Sequence, residues 1–88
     1  MSDSEIEQSF NKAAEIANSL KDLSNDQLLL IYKNYKQATV GDIDIPKPGM
    51  FDFKGCAKWE AWNSVKGTDK LTAMQNYIKT VLELYNSK

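Results

Sequence analysis

The chain has no histidine and no arginine, and Cys56 is its single cysteine. Without histidine it loses the commonest general base and metal ligand at neutral pH. One thiol, no imidazole and scattered carboxylates exclude a zinc site. A lone cysteine permits no internal disulfide, and a small fold without such staples suits a reducing compartment, so a cytoplasmic location is expected. No run of about 18 apolar residues occurs, so no segment is expected to span a bilayer. Residues 1–5 are polar and acidic, with no apolar stretch after a basic start, and no secretory signal is expected. A Gly-rich phosphate loop, a nucleophile elbow and a base to activate a serine are also missing, which argues against an enzyme.

What is present fits one small domain over residues 1–88. Hydrophobic residues make up 42% of the chain, enough for a modest core and too many for a disordered tail. The formal net charge is −1, but the charge is unevenly placed. Residues 1–26 hold Lys12 and Lys21 against Asp3, Glu5, Glu7, Glu15, Asp22 and Asp26. Residues 33–70 carry a small excess of lysine over acid. That mild basic middle suits a few phosphates and is too weak for a nucleic-acid backbone, so no nucleic-acid partner is expected.

Four helical patterns are legible. Ile6, Phe10, Ala13, Ala14, Ala17 and Leu20 recur at three- and four-residue steps. Ser24-Asn25-Asp26-Gln27 reads as a capping box opening a second helix, with Leu28, Ile31, Tyr32 and Tyr35 on one face and Gly41 at its end. Residues 41–54 form a long loop with both prolines, and loops of that length are often functional. Asp42 and Asp44 read there as turn residues. A short third helix is expected from about Gly55 to Val65. A fourth, capped by Thr68 or Asp69, carries a stripe of Leu71, Met74, Tyr77, Ile78, Val81, Leu82 and Tyr85. No segment alternates long enough for a strand, so the fold class is all-α, a small helix bundle.

Tyr32 and Tyr35 are three apart, and Tyr32 and Lys36 four apart, so they neighbour one another on the helix surface. Flat aromatic faces can stack on a base, and an ammonium beside them can hold a phosphate. The same spacing also suits a core-facing helix with snorkelling ends. Lys54 and Lys58, four apart, read by spacing as a solvated charged edge, although a helix N-terminus also attracts anions. Tyr77 reads equally as core. Trp59 and Trp62, three apart in the third helix, read as core. Cys56 falls on the face opposite Lys54 and Lys58 and reads as structural or incidental.

The blocks Tyr35-Lys36-Gln37-Ala38-Thr39-Val40-Gly41-Asp42, Pro48-Gly49-Met50 and Lys58-Trp59-Glu60-Ala61-Trp62-Asn63, in this order and spacing, resemble the acyl-CoA-binding protein family from about Phe10 to the C-terminus. The resemblance implies an up-down-down-up four-helix bundle. It implies non-covalent binding of long-chain acyl-CoA thioesters by an intracellular carrier and pool former for lipid metabolism, with no cofactor. It further implies a site drawn from Asn18, Leu28, Leu29, Tyr32, Lys33, Asn34, Tyr35, Lys36, Lys54, Lys58 and Tyr77. Tyr32 would lie near the adenine ring, Lys36 at the 3′-phosphate, and Lys54 and Lys58 at the CoA phosphates. Tyr77 would be a further head-group contact, and Leu28 and Leu29 would stand where the acyl chain enters. Two positions depart from the family pattern. Asn18 stands where a first-helix lysine is common, eight residues after Phe10, and Cys56 replaces another common lysine. A monomer without stable membrane insertion is expected, in transient contact with membranes or with enzymes that make or use acyl-CoA. The alternative is an interaction module or signalling peptide of the same family.

Overall fold

Each of the four helices starts on a serine or aspartate whose side chain accepts a hydrogen bond from a backbone N–H of the first turn. The computed structural model describes residues 2–87. Ser2 caps α1 (Asp3–Ser19), Ser24 caps α2 (Asn25–Thr39), Asp52 caps α3 (Phe53–Asn63) and Asp69 caps α4 (Lys70–Asn86). At α2 the capping box is complete: Ser24 Oγ accepts from the Gln27 N–H at 3.1 Å, and Gln27 Oε1 accepts from the Ser24 N–H at 2.8 Å. The helix ends where Gly41 takes φ +99, and the N–H groups of Val40 and Gly41 both reach the Lys36 carbonyl.

The third helix begins two residues earlier than its apolar pattern suggests. Asp52 Oδ1 accepts from the Gly55 N–H at 2.9 Å, so Phe53 and Lys54 join the first turn. A Cβ on Gly55 would collide with that same carboxylate, which explains a glycine inside a helix.

The helices pack in the order α1, α4, α2, α3, and the backbones of α1 and α2 do not approach each other closely. Phe10 and Ala13 of α1, Ala38 of α2, and Ala73, Tyr77 and Val81 of α4 form the buried cluster. Phe10, Tyr35 and Tyr77 meet ring to ring there, with centroids 4.9–5.7 Å apart. Such offset contacts add about 0.5–1.5 kcal/mol per pair beyond area burial. With α1 held to α4 and α2 held to α4, the space between α1 and α2 stays open above Tyr77.

The two tryptophans differ. Trp62 is buried, and its indole N–H donates to the Gly41 carbonyl at 2.9 Å. Trp59 is only half-buried and donates to the Ile45 carbonyl at 2.8 Å. The expectation of two core tryptophans therefore holds for Trp62, whereas Trp59 is a loop anchor. Residues 40–52 are further pinned by buried Ile43 and by the Lys47–Glu60 ion pair at 2.9 Å. Asp42 also holds the loop: its Oδ1 accepts from Gln37 Nε2 and from the Gly67 N–H, both at 2.8 Å. These two bonds hold the Asp42 carboxyl below the usual carboxylate range. The long loop thus ties α2, α3 and the α3–α4 turn together.

Candidate functional site

Because α2 stands between two gaps, its exposed face serves both. On one side lies a cleft of about 400 Å³ between α1 and α2. Its walls are Ala14, Ala17 and Asn18 of α1, Leu20 and Leu23 of the following link, and Leu28, Ile31, Tyr32 and Tyr35 of α2, with Tyr77 of α4 below. The small side chains of Ala14 and Ala17 leave the room. On the other side lies a cleft of about 440 Å³ between α2 and α3, lined by Asn25, Leu28, Leu29, Tyr32, Phe53, Lys54, Ala57 and Lys58. Leu28 and Tyr32 line both clefts, so these two side chains form a shared ridge.

The first cleft offers phenols and an amide over an apolar floor. Tyr77 is 2% exposed, and burial, then the nearby Tyr35, pushes its phenol up from the ordinary tyrosine value. It remains a neutral hydroxyl at physiological pH, able to donate or accept. The second cleft offers leucines, a phenylalanine and two ammonium groups.

Lys58 of this cleft and Lys36 of α2 rest their ammonium groups on aromatic rings. Lys58 Nζ lies 5.5 Å from the centroid of Tyr32, and Lys36 Nζ lies 5.0 Å from the Trp62 ring. A ring face orients a cation without neutralising it, and at exposed sites the contact contributes only about 0.5–1 kcal/mol. A ligand phosphate competes easily with that. Lys47 is different: it lies 5.9 Å from the Trp59 ring but also pairs with Glu60, whose hydrogen bond and charge raise its pKa.

The residues singled out from the sequence distribute as follows. Asn18, Leu28, Tyr32, Tyr35 and Tyr77 line the first cleft, and Leu28, Leu29, Tyr32, Lys54 and Lys58 line the second. Lys36 sits over Trp62, toward α3. Lys33 is half-buried on α2. Asn34 is buried in the seam with α4, where its Nδ2 donates to the Leu30 carbonyl at 3.0 Å and reaches Thr80 Oγ1 at 3.5 Å. Cys56 turns its Sγ toward the Pro48 and Gly49 carbonyls, within 3.4–3.6 Å, while Lys54 and Lys58 line the cleft.

Sequence reasoning missed the walls. Ala14, Ala17 and Leu20 are legible only as a core stripe, and Leu23, in the link after α1, falls outside it. Phe53, Asn25 and Ala57 gave no signal, except that Phe53 follows a capping aspartate.

A family model described as Acyl CoA binding protein matches residues 7–81. The Acyl-CoA-binding protein homolog of Drosophila melanogaster is 51% identical over 77 residues, covering 86% of this chain and 90% of that protein. The Acyl-CoA-binding domain-containing protein 6 homolog of Dictyostelium discoideum is 42% identical over 85 residues; the match covers 92% of this chain but only 30% of that longer protein. Among solved structures, the crystal structure of Oryza sativa Acyl-CoA-Binding Protein 2 superposes with a TM-score of 0.89 at 42% identity, covering 93% of this chain and 92% of the other.

Proposed function

The chain belongs to the acyl-CoA-binding protein family, and from this premise we propose that it binds long-chain acyl-CoA thioesters non-covalently and carries them as a protected cytoplasmic pool. The observation that carries the proposal is the shared ridge. Two clefts, each with apolar walls and a few polar groups, meet at Leu28 and Tyr32, and a molecule with a polar nucleotide end and an apolar tail can occupy both at once.

The energetics of the two ends differ. A buried CH₂ contributes about 0.8 kcal/mol, so a chain of about twelve carbons offers roughly 9 kcal/mol at full burial. That is comparable with the estimated 4–15 kcal/mol cost of association, so the tail alone leaves little surplus. The head supplies the rest through charge-assisted contacts. Lys36, Lys54 and Lys58 meet phosphates as compact point charges, and Tyr32 and Tyr35 offer ring faces to the adenine. Tyr77 and Asn18 supply hydrogen-bonding groups at the α1 side. Leu28, Leu29, Phe53 and Ala57 receive the start of the acyl chain between α2 and α3. Lys33 borders this face. Asn34 is engaged with α4 and acts by fixing the rotation of α2.

In this reading the protein makes and breaks no bond. It holds the thioester away from water and releases it unchanged. Titration with palmitoyl-CoA, followed by recovery of the ligand, tests this directly. A 1:1 complex and intact thioester are expected. Steady release of CoA thiol on incubation would contradict the carrier role.

A further inference from the structure

Met50, Phe51 and Phe53 are 75%, 85% and 77% exposed, the most exposed large hydrophobic side chains among the described residues. Three such side chains within four residues call for an occupant. They stand in the turn before α3 and at its first position. The Asp52 N–H closes that turn on the Gly49 carbonyl at 2.9 Å, which leaves Met50 and Phe51 projecting outward. Phe53 also lines the α2–α3 cleft beside Lys54 and Ala57. The apolar turn therefore runs into the mouth of the cleft assigned to the acyl chain.

The charges are arranged about this turn. Lys54 and Lys58 flank the cleft and Glu60 pairs with Lys47, so two lysines stand against the one carboxylate of the turn, Asp52, which keeps its charge while capping α3. α1 carries Asp3, Glu5, Glu7 and Glu15 against Lys12. It packs on α4, whereas α3 packs on α2. Acid and apolar turn therefore occupy opposite ends of the helix order. An anionic surface repels the α1 end and favours approach by the α3 end.

We infer that the Met50-Phe51-Phe53 turn is a reversible docking surface for an anionic phospholipid bilayer, placing the mouth of the acyl cleft against the lipid. The role as a loading surface rests on the acyl-CoA reading above. A bilayer suits these exposed side chains because a fluid surface needs no matching shape. Three side chains beside two lysines amount to a marginal anchor, as a carrier that must leave again requires.

The test uses the full chain and vesicles of phosphatidylcholine alone or mixed with phosphatidylserine, with binding read by sedimentation at low salt. The protein should bind the mixed vesicles and bind phosphatidylcholine alone more weakly. Met50→Ser/Phe51→Ser should reduce binding to the mixed vesicles roughly tenfold or more. Both side chains are exposed, and neither is placed in a cleft. The same variant should keep its melting temperature and its affinity for dodecanoyl-CoA in vesicle-free buffer. A control, Val40→Ser/Tyr85→Ser, removes exposed apolar groups elsewhere and should bind vesicles as the parent does. No binding to either vesicle, equal binding by the parent and the Met50/Phe51 variant, or equal loss in both variants would overturn the docking surface. So would capture of a protein partner, lost in the Met50/Phe51 variant, with no vesicle binding. Failure of the parent to bind dodecanoyl-CoA in vesicle-free buffer would instead overturn the acyl-CoA reading, and with it the loading role.

Discussion

Lys58→Ala separates the ligand site from the fold. Lys58 is exposed on α3 and lies 5.5 Å from the Tyr32 ring centroid. Its removal takes one ammonium from the α2–α3 cleft without touching the buried cluster. The lost phosphate contact should cost about 1.5–3 kcal/mol. Against this, the ligand no longer has to draw the ammonium off the ring, a contact of about 0.5–1 kcal/mol. The net loss is then about 0.5–2.5 kcal/mol, or roughly 2- to 60-fold in affinity for palmitoyl-CoA. Lys58→Arg keeps the charge and should recover most of it. Calorimetric titration at several salt concentrations supplies a second readout. The slope of affinity against salt should flatten in the alanine variant and not in the arginine variant. The melting temperature should barely move, because an exposed cation–π contact is small. Unchanged low-salt affinity in Lys58→Ala, or a large drop in melting temperature, would refute the placement of Lys58 at a phosphate.

Other changes test other parts of the structure. Trp62→Ala should destabilise the fold by about 3–5 kcal/mol and strand the Gly41 carbonyl, whereas Trp59→Ala should cost clearly less; denaturant unfolding of both variants compares them. Asp42 has a depressed pKa, so its contribution is present above the unfolded value of 3.8 and is lost as pH falls through the folded value. Melting temperatures measured downward from pH 6 should therefore fall below about pH 4, and Asp42→Asn should flatten part of that fall while lowering stability at neutral pH. Asn18 is exposed and lines the α1–α2 cleft, and Asn18→Lys should tighten palmitoyl-CoA binding by about 0.5–1.5 kcal/mol at low ionic strength, a gain that salt should erase.

Much of this architecture is local and therefore legible in the sequence. Ser24-Asn25-Asp26-Gln27 and Gly41 bound α2 through bonds made within a few residues, and Asp69 does the same for the start of α4. The four-helix fold implied by the family resemblance is also that of the solved relative from Oryza sativa. The features that escaped depend on contacts distant in sequence. Trp59 and Trp62 look alike in a helical pattern, yet the rotation of α3 against α2 buries one and turns the other to the loop. Asn34 lies within the aromatic run but faces Thr80 of α4, which no local spacing reveals. The α1–α2 cleft exists because both helices pack on α4 rather than on each other, so its alanine walls read as ordinary core. The start of α3 was misplaced because its apolar stripe is weak and its true signal is a single capping aspartate after a proline-containing loop.

The central claim is that one ligand occupies two clefts joined at Leu28 and Tyr32, and calorimetry tests it most directly. Palmitoyl-CoA, free CoA and free palmitate should be titrated in one buffer, followed by an equimolar mixture of the two fragments. The ester should bind far more tightly than either fragment, and more tightly than the mixture, because linkage makes the second contact intramolecular. Palmitate binding as strongly as its CoA ester would show that the lysines and phenols around Tyr32 hold no head group, and the account would fail.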